Sequence, residues 1–168
     1  PLSNLKPLKT DKVGLVRFLK PEEEKRMRMA LDARQAKQHQ RRSSHNSWLV
    51  NRGQKEVSQF PEAYTDYLKP LVIMGLNTGM RRGELFDLKV RDINFDQRVL
   101  VVRGETAKSG SSRYINLNQE AFRTLVVWLK EQALMGDDLV FPNPKTGERL
   151  TNIRTSWKNL AEGASVSD

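Results

Sequence analysis

Apolar residues along this chain repeat with two periods, and the switch between them divides it. Met27, Ala30, Leu31 and Arg34 follow helical spacing, with Arg26, Lys37 and Arg41 extending outward. Pro21 suits a first helical position, and Glu22, Glu23 and Glu24 suit the positive end of a helix dipole, so the pattern predicts a helix from Pro21 to about Gln38. Leu68, Leu71, Val72 and Leu76 repeat the spacing, with Asp66 placed as a cap and Pro70 in the first turn, where a missing N–H is harmless. From residue 92 the period shortens. Residues 92–95, 98–103 and 112–117 read as three antiparallel strands by alternation and β-branched content, with Asp96 and Gln97 turning between the first two. A polar, glycine-containing stretch over 104–112 joins the last two. Helical spacing returns at Phe122, Leu125, Val126 and Leu129, with Asn118 or Asn116 as its cap. Residues 139–142 read as a short extended piece and 145–148 as a turn, and Thr151 is placed to cap a last helix carrying Ile153, Trp157 and Leu160. The fold expected is mainly α with a small three-stranded antiparallel β-sheet, an α+β class.

Two stretches lack a period. Residues 1–20 read as an extended arm, and residues 38–59 as the least ordered part of the chain, interrupted by Trp48-Leu49-Val50, which is expected to dock it. The 168 residues suffice for one domain. The chain holds no cysteine, which excludes disulfides, thiolate metal sites and thiol nucleophiles. His39 and His45 lie six apart in a polar basic segment, poor spacing for a metal pair, so no metal or other cofactor is expected. No apolar run approaches the roughly 20 residues of a membrane helix and no signal peptide opens the sequence, so the expected setting is cytoplasmic, without a membrane partner. Tyr64, Tyr67 and Tyr114 are read as packing residues with a polar tip.

Charge adds direction to this picture. The net charge is +9, and residues 1–60 hold 14 Lys+Arg against 6 Asp+Glu while residues 61–168 hold 15 against 14. A basic half beside a neutral one implies a surface that meets a polyanion, with nucleic acid foremost.

The candidate chemistry sits at residues 77–88, reading Asn-Thr-Gly-Met-Arg-Arg-Gly-Glu-Leu-Phe-Asp-Leu after the apolar run 71–76. Gly79 tolerates the positive φ that ends a helix, and Thr78 is expected to cap the next one. Arg81, Arg82 and Glu84 fall in the first turn of that second helix, with Leu85 and Leu88 on its inner face. Arg-Arg pairs are usually solvated. Here, however, the cations stand at the wrong end of the helix dipole, and Glu84 is near enough to orient one of them. A guanidinium held in direction matches two oxygens of a phosphodiester.

Thr-Gly-Met-Arg-Arg-Gly-Glu-Leu, followed by Asp-Leu-Lys-Val-Arg-Asp-Ile, resembles the first conserved box of the tyrosine recombinases of the phage-integrase type. The segment Ala-Lys-Ser-Gly-Ser-Ser-Arg-Tyr-Ile is similar to the β-hairpin that carries the family's catalytic lysine. The resemblance implies that Arg81 is the first catalytic arginine, Glu84 its supporting acid and Lys108 the catalytic lysine. Arg82, Ser111, Ser112 and Arg113 are then expected to contact DNA. It further implies that a tyrosine hydroxyl attacks the scissile phosphate to give a 3′-phosphotyrosyl link, with guanidinium groups balancing the charge in place of a metal and Lys108 protonating the leaving 5′-oxygen.

The family also uses a His-x-x-Arg box and a later nucleophilic tyrosine, and this sequence has no histidine after His45 and no tyrosine after Tyr114. The expectation is therefore a C-terminally truncated catalytic domain over 21–168, with no nucleophile of its own, residues 1–20 being the arm from an absent N-terminal DNA-binding domain. Double-stranded DNA is the expected partner. Self-association on DNA is expected of the full-length protein, and a monomer of the fragment. The competing readings are a non-catalytic DNA-binding module that retains the phosphate-gripping surface, and a basic RNA-binding helical domain. The RNA reading suffers from the lack of an exposed aromatic platform.

Overall fold

The computed structural model describes residues 18–104 and 111–166; most of the expected arm over 1–20, and Lys108, lie outside them. Among the described residues the order is α1 (Pro21–Val50), α2 (Leu68–Thr78), α3 (Arg82–Asp87), a single 3₁₀ turn (Val90–Asp92), β1 (Ile93–Asn94), β2 (Val99–Val102), β3 (Arg113–Asn116), α4 (Gln119–Gln132) and α5 (Arg154–Gly163). The mainly helical class with a three-stranded antiparallel sheet is borne out.

Helix α1 departs most from expectation. It runs 30 residues to Val50, through the segment expected to be least ordered. Beyond Leu31 its inner face is largely polar and is held by a returning segment. Asn46 donates to the Val57 carbonyl at 2.7 Å and accepts from the Val57 N–H at 3.0 Å, Arg42 donates to the Ser58 carbonyl at 2.8 Å, and Gln35 donates to the Ala63 carbonyl at 2.8 Å. Arg34 forms a two-pronged pair with Asp66, whose carboxylate also accepts from Gln38. Apolar periodicity cannot register a helix seated on amides and carbonyls. Of the expected docking residues only Leu49 is buried; Trp48 and Val50 are exposed.

Helix α2 is the shared wall of two cores. One side, Leu71 and Met74, packs with Leu85 and Phe86 of α3, Leu100 and Val102 of β2, and Leu125 and Trp128 of α4. The other, Leu68 and Val72, packs with Met27 and Leu31 of α1, Leu160 of α5 and Ala164 just past its end. The Trp128 indole N–H donates to the Val140 carbonyl at 2.6 Å, which satisfies a polar atom that burial would otherwise penalise. As expected, Asp66 caps α2 by accepting from the Leu68 N–H at 3.0 Å.

The sheet runs β1-β2-β3, with Ile93 opposite Leu100 and Val102 opposite Arg113. Its strands are shorter than the sequence pattern, and β2 starts at Val99 because Arg98 takes φ 52° and belongs to the first turn. Asn118, not Asn116, caps α4, its Oδ1 accepting from the Ala121 N–H at 2.9 Å. Thr151 does not cap α5: the helix starts later than expected, its cap position falls on Ile153, which offers no side-chain acceptor, and Asn152 just ahead of it accepts from the Arg154 N–H at 3.3 Å.

Gly79 ends α2 in the left-handed region, φ 62°, and nothing lies within 4 Å of the place a Cβ would occupy. Gly79→Ala is therefore expected to lose about 1–2 kcal/mol from backbone strain alone. The urea midpoint should fall without a change in the slope of the transition, and an unchanged midpoint would contradict the strain assignment.

Candidate active site

The corner between α2 and α3 is built by local chemistry. The Gly79 N–H closes α2 on the Gly75 carbonyl at 3.1 Å, and the chain then reverses into α3. Thr78 finishes α2 instead of capping α3: its hydroxyl donates to the Met74 carbonyl at 2.5 Å and accepts from the Met80 N–H at 3.4 Å. It stands three residues ahead of the capping position, which Arg81 occupies in extended backbone. Glu84 reaches back and its Oε2 accepts from the Arg81 N–H at 2.7 Å, the reciprocal half of a capping box.

Glu84 is the centre of the site. Its side chain is 2% exposed, yet both oxygens are saturated. Besides the Arg81 N–H, Oε1 accepts from Arg81 Nη1 at 3.1 Å and from Arg113 Nη1 at 2.9 Å, and Oε2 accepts from Arg113 Nη2 at 2.7 Å. The Arg113 fork, with help from the Arg81 N–H and guanidinium, outweighs burial and holds the carboxyl at about 2, well below its ordinary range. In turn the carboxylate raises the Arg113 guanidinium. Two cations thus share one buried anion and leave a net positive charge at the surface.

The two arginines differ in what they present. Arg81 commits one side-chain N–H to Glu84 and its side chain is 59% exposed, so most of its five donors are left for a ligand. Arg113 places both terminal nitrogens on Glu84 and is 37% exposed. Its first job is to brace the acid, a part the sequence did not suggest. The elements explain the meeting: β3 pairs with β2 so that Arg113 and Ile115 turn toward the body of the protein, while Tyr114 and Asn116 turn to solvent. Tyr114 is 77% exposed, which overturns its reading as a packing residue, whereas Tyr64 is buried as expected. One isolated ring is less than the two or three an RNA platform uses.

The other residues singled out in the sequence are distributed around this centre. Arg82 lines an apolar groove of about 790 Å³ between α2 and α5, together with Arg154, Trp157 and Lys158, and does not join the Glu84 cluster. Ser111 is exposed, beside Ser112 at the neck of the hairpin, where the Ser112 hydroxyl accepts from the Gly104 N–H at 2.9 Å and keeps its own hydrogen free to donate. Lys108, as noted, lies in the hairpin outside the described residues.

Some charged residues at the site escaped the sequence reading. A cavity of about 150 Å³ next to Glu84 is lined by Lys89, Arg91, Asp92 and Arg103. Asp92 is buried and accepts from Arg103 Nε at 2.5 Å, a second arginine–carboxylate pair tying the 3₁₀ turn to the end of β2. Asn77, at the end of α2, donates to Glu120 at 2.9 Å, and Glu120 also pairs with Arg28 of α1. No local signal marks these partners, because each pair joins residues from separate elements.

Residues 53–168 match the model of the phage integrase family, and the chain belongs to that family. Over 92 residues it is 29% identical to the tyrosine recombinase XerA of Pyrococcus furiosus, a match covering 55% of this chain and 32% of that protein. Its fold superposes on the crystal structure of XerA recombinase with a TM-score of 0.57 at 20% identity, covering 90% of this chain and 44% of the other. It superposes on the Tn1549 transposon integrase, solved with transposon right end DNA, with a TM-score of 0.59 at 18% identity, covering 96% and 48%. The chain therefore spans less than half the length of these relatives. Among the described residues no helix is long and apolar enough to cross a membrane.

Proposed function

We propose that this chain supplies part of the catalytic centre of a site-specific DNA recombinase, and that Arg81 binds the scissile phosphate of duplex DNA there. The observation that carries the reading is the saturated Glu84 carboxylate, which aims an exposed Arg81 guanidinium from a buried anchor. Charge that develops on the phosphoryl oxygens as the nucleophile adds is stabilised most by a donor already held in place. Arg113 keeps Glu84 ionised and seated, and its remaining N–H groups lie beside the same surface. Lys108, carried by the hairpin that Ser112 closes at its neck, donates a proton to the departing 5′-oxygen.

In the reaction a tyrosine oxygen bonds to phosphorus as the bond to the 5′-oxygen breaks. The phosphotyrosyl ester conserves the energy of the broken bond, and attack by a 5′-hydroxyl on it rejoins the strand without a nucleotide cofactor. Tyr114 does not serve as the nucleophile. It follows Arg113 on the strand, and adjacent strand residues point to opposite faces, so its hydroxyl lies across the sheet from Glu84 and Arg81. The 168-residue chain alone is accordingly expected to bind duplex DNA without becoming attached to it. Incubation with a nicked duplex that traps phosphotyrosyl intermediates, followed by a denaturing gel, should show no shifted band. A band lost in Tyr114→Phe would overturn the assignment of that strand. A chain that binds no duplex at all would overturn the DNA reading itself.

A further inference from the structure

Residues 33–55 contain Arg34, Lys37, Arg41, Arg42, Arg52 and Lys55, and neither aspartate nor glutamate. The helix that carries most of them sorts these charges. Arg34 and Arg42 turn inward to Asp66 and to the Ser58 carbonyl, and hold the returning segment. Lys37, Arg41, Ser44 and Trp48 follow one another at four, three and four residues, which places them in a single exposed stripe along α1. At the end of the stripe the Arg52 guanidinium lies 3.9 Å from the centre of the Trp48 ring, and the His45 ring stacks on Trp48 at 6.1 Å. The indole holds Arg52 against the helix end, so the stripe finishes on a fixed cation beside a ring that stays half-exposed.

The position of the stripe follows from two anchors on α1. Arg28 pairs with Glu120, which also holds Asn77 at the last turn of α2, beside the Gly79–Arg81 corner. Arg34 pairs with Asp66, just ahead of the first turn of α2. The helices therefore run antiparallel, and α1 continues past the far end of α2. At 1.5 Å per residue, Arg41 and Trp48 lie about 20 and about 30 Å along α1 from Arg28.

From this geometry we infer that the exposed stripe Lys37–Arg41–Trp48/Arg52 is a second, sequence-independent contact to the phosphates of duplex DNA, distant from the Arg81 corner. The occupant is argued by charge: a stretch of 23 residues without a carboxylate, whose Lys37, Arg41 and Arg52 are exposed, complements a polyanion of regular pitch. Those rises along α1 correspond to roughly six to nine base pairs of duplex at 3.4 Å each, so the stripe adds its contacts only on a duplex that extends beyond the phosphates at the Arg81 corner. The inference rests on the DNA reading of the Arg81 corner and extends it.

The test uses the 168-residue chain and Lys37→Gln/Arg41→Gln, two exposed positions whose loss should leave the fold intact, checked by circular dichroism. Fluorescence anisotropy is measured with a 5-base-pair duplex closed as a hairpin and a random duplex of 20 base pairs over a range of salt. Each phosphate contact contributes about −0.9 to the slope of log affinity against log salt, so the double variant should be shallower by about 2 on the longer duplex. It should also lose most of the advantage that wild type gains from the longer duplex. Unchanged slope and unchanged length dependence, with wild type still binding, would overturn the stripe and leave the Arg81 reading standing. Failure of wild type to bind either duplex would overturn both, and so would a double variant impaired only toward single-stranded RNA or an acidic protein overturn the assignment to duplex.

Discussion

Arg81→Ala is expected to lower the rate of DNA cleavage by the full-length protein on the order of 10²–10³-fold, the loss typical of one preorganised charge donor. Affinity for duplex should change by less than about tenfold, the share of a single phosphate contact at moderate salt. The asymmetry follows from how Arg81 is held. Glu84 is buried and takes one of its five donors, so the guanidinium arrives at the phosphate already oriented, and its effect grows as charge accumulates in the transition state. Arg81→Lys should recover binding but little of the rate, because an ammonium cannot reproduce the planar fork. Single-turnover cleavage of a labelled suicide substrate, run beside an equilibrium titration, separates the two quantities. Equal losses in rate and affinity would mean that Arg81 only holds DNA.

Glu84→Gln is expected to be the most destabilising substitution at the site. The amide offers one acceptor oxygen where four hydrogen bonds now converge, and turns an NH₂ toward donors. Breaking a buried ion pair by removing one partner typically costs about 3–5 kcal/mol. The pH dependence offers an independent measure. The folded carboxyl sits at about 2 against an ordinary value of 4.5, so the folded state favours the ionised form. Its contribution is complete above 4.5, shrinks as pH falls through that interval and is gone below about 2. At about 1.4 kcal/mol per pH unit, that interval amounts to on the order of 3 kcal/mol. Urea melts between pH 7 and 2.5 should show wild type losing most of this increment while Glu84→Gln stays flatter. Parallel curves would place the acid sensitivity elsewhere.

The two expectations also differ in how visible they were. Arg81 and Glu84 stand three residues apart behind a helix-ending glycine, and both turn chemistry and i,i+3 proximity are local properties, so that half of the site was legible. The apolar run of α2 and the β-branched residues of β2 were legible for the same reason, since burial on one face imposes a period that a sequence records directly. Membership of the phage integrase family followed from those local motifs together.

What the sequence did not disclose is what depends on partners far along the chain. Arg113 reaches Glu84 across 29 residues, and only the pairing of β3 with β2 decides that it turns inward while Tyr114 turns out. A one-residue change of register would exchange them. Helix α1 continues to Val50 because Asn46, Arg42 and Gln35 find backbone partners on a returning segment, and polar contacts of this kind leave no apolar period to read. By itself the sequence determined the kind and order of the elements from α2 to α5 and which arginine leads the corner, since those depend on neighbours a few residues away. Tertiary structure alone decided that the supporting acid is buried and shared by two guanidiniums, because desolvation and ion pairing are set by whatever folds back over a residue.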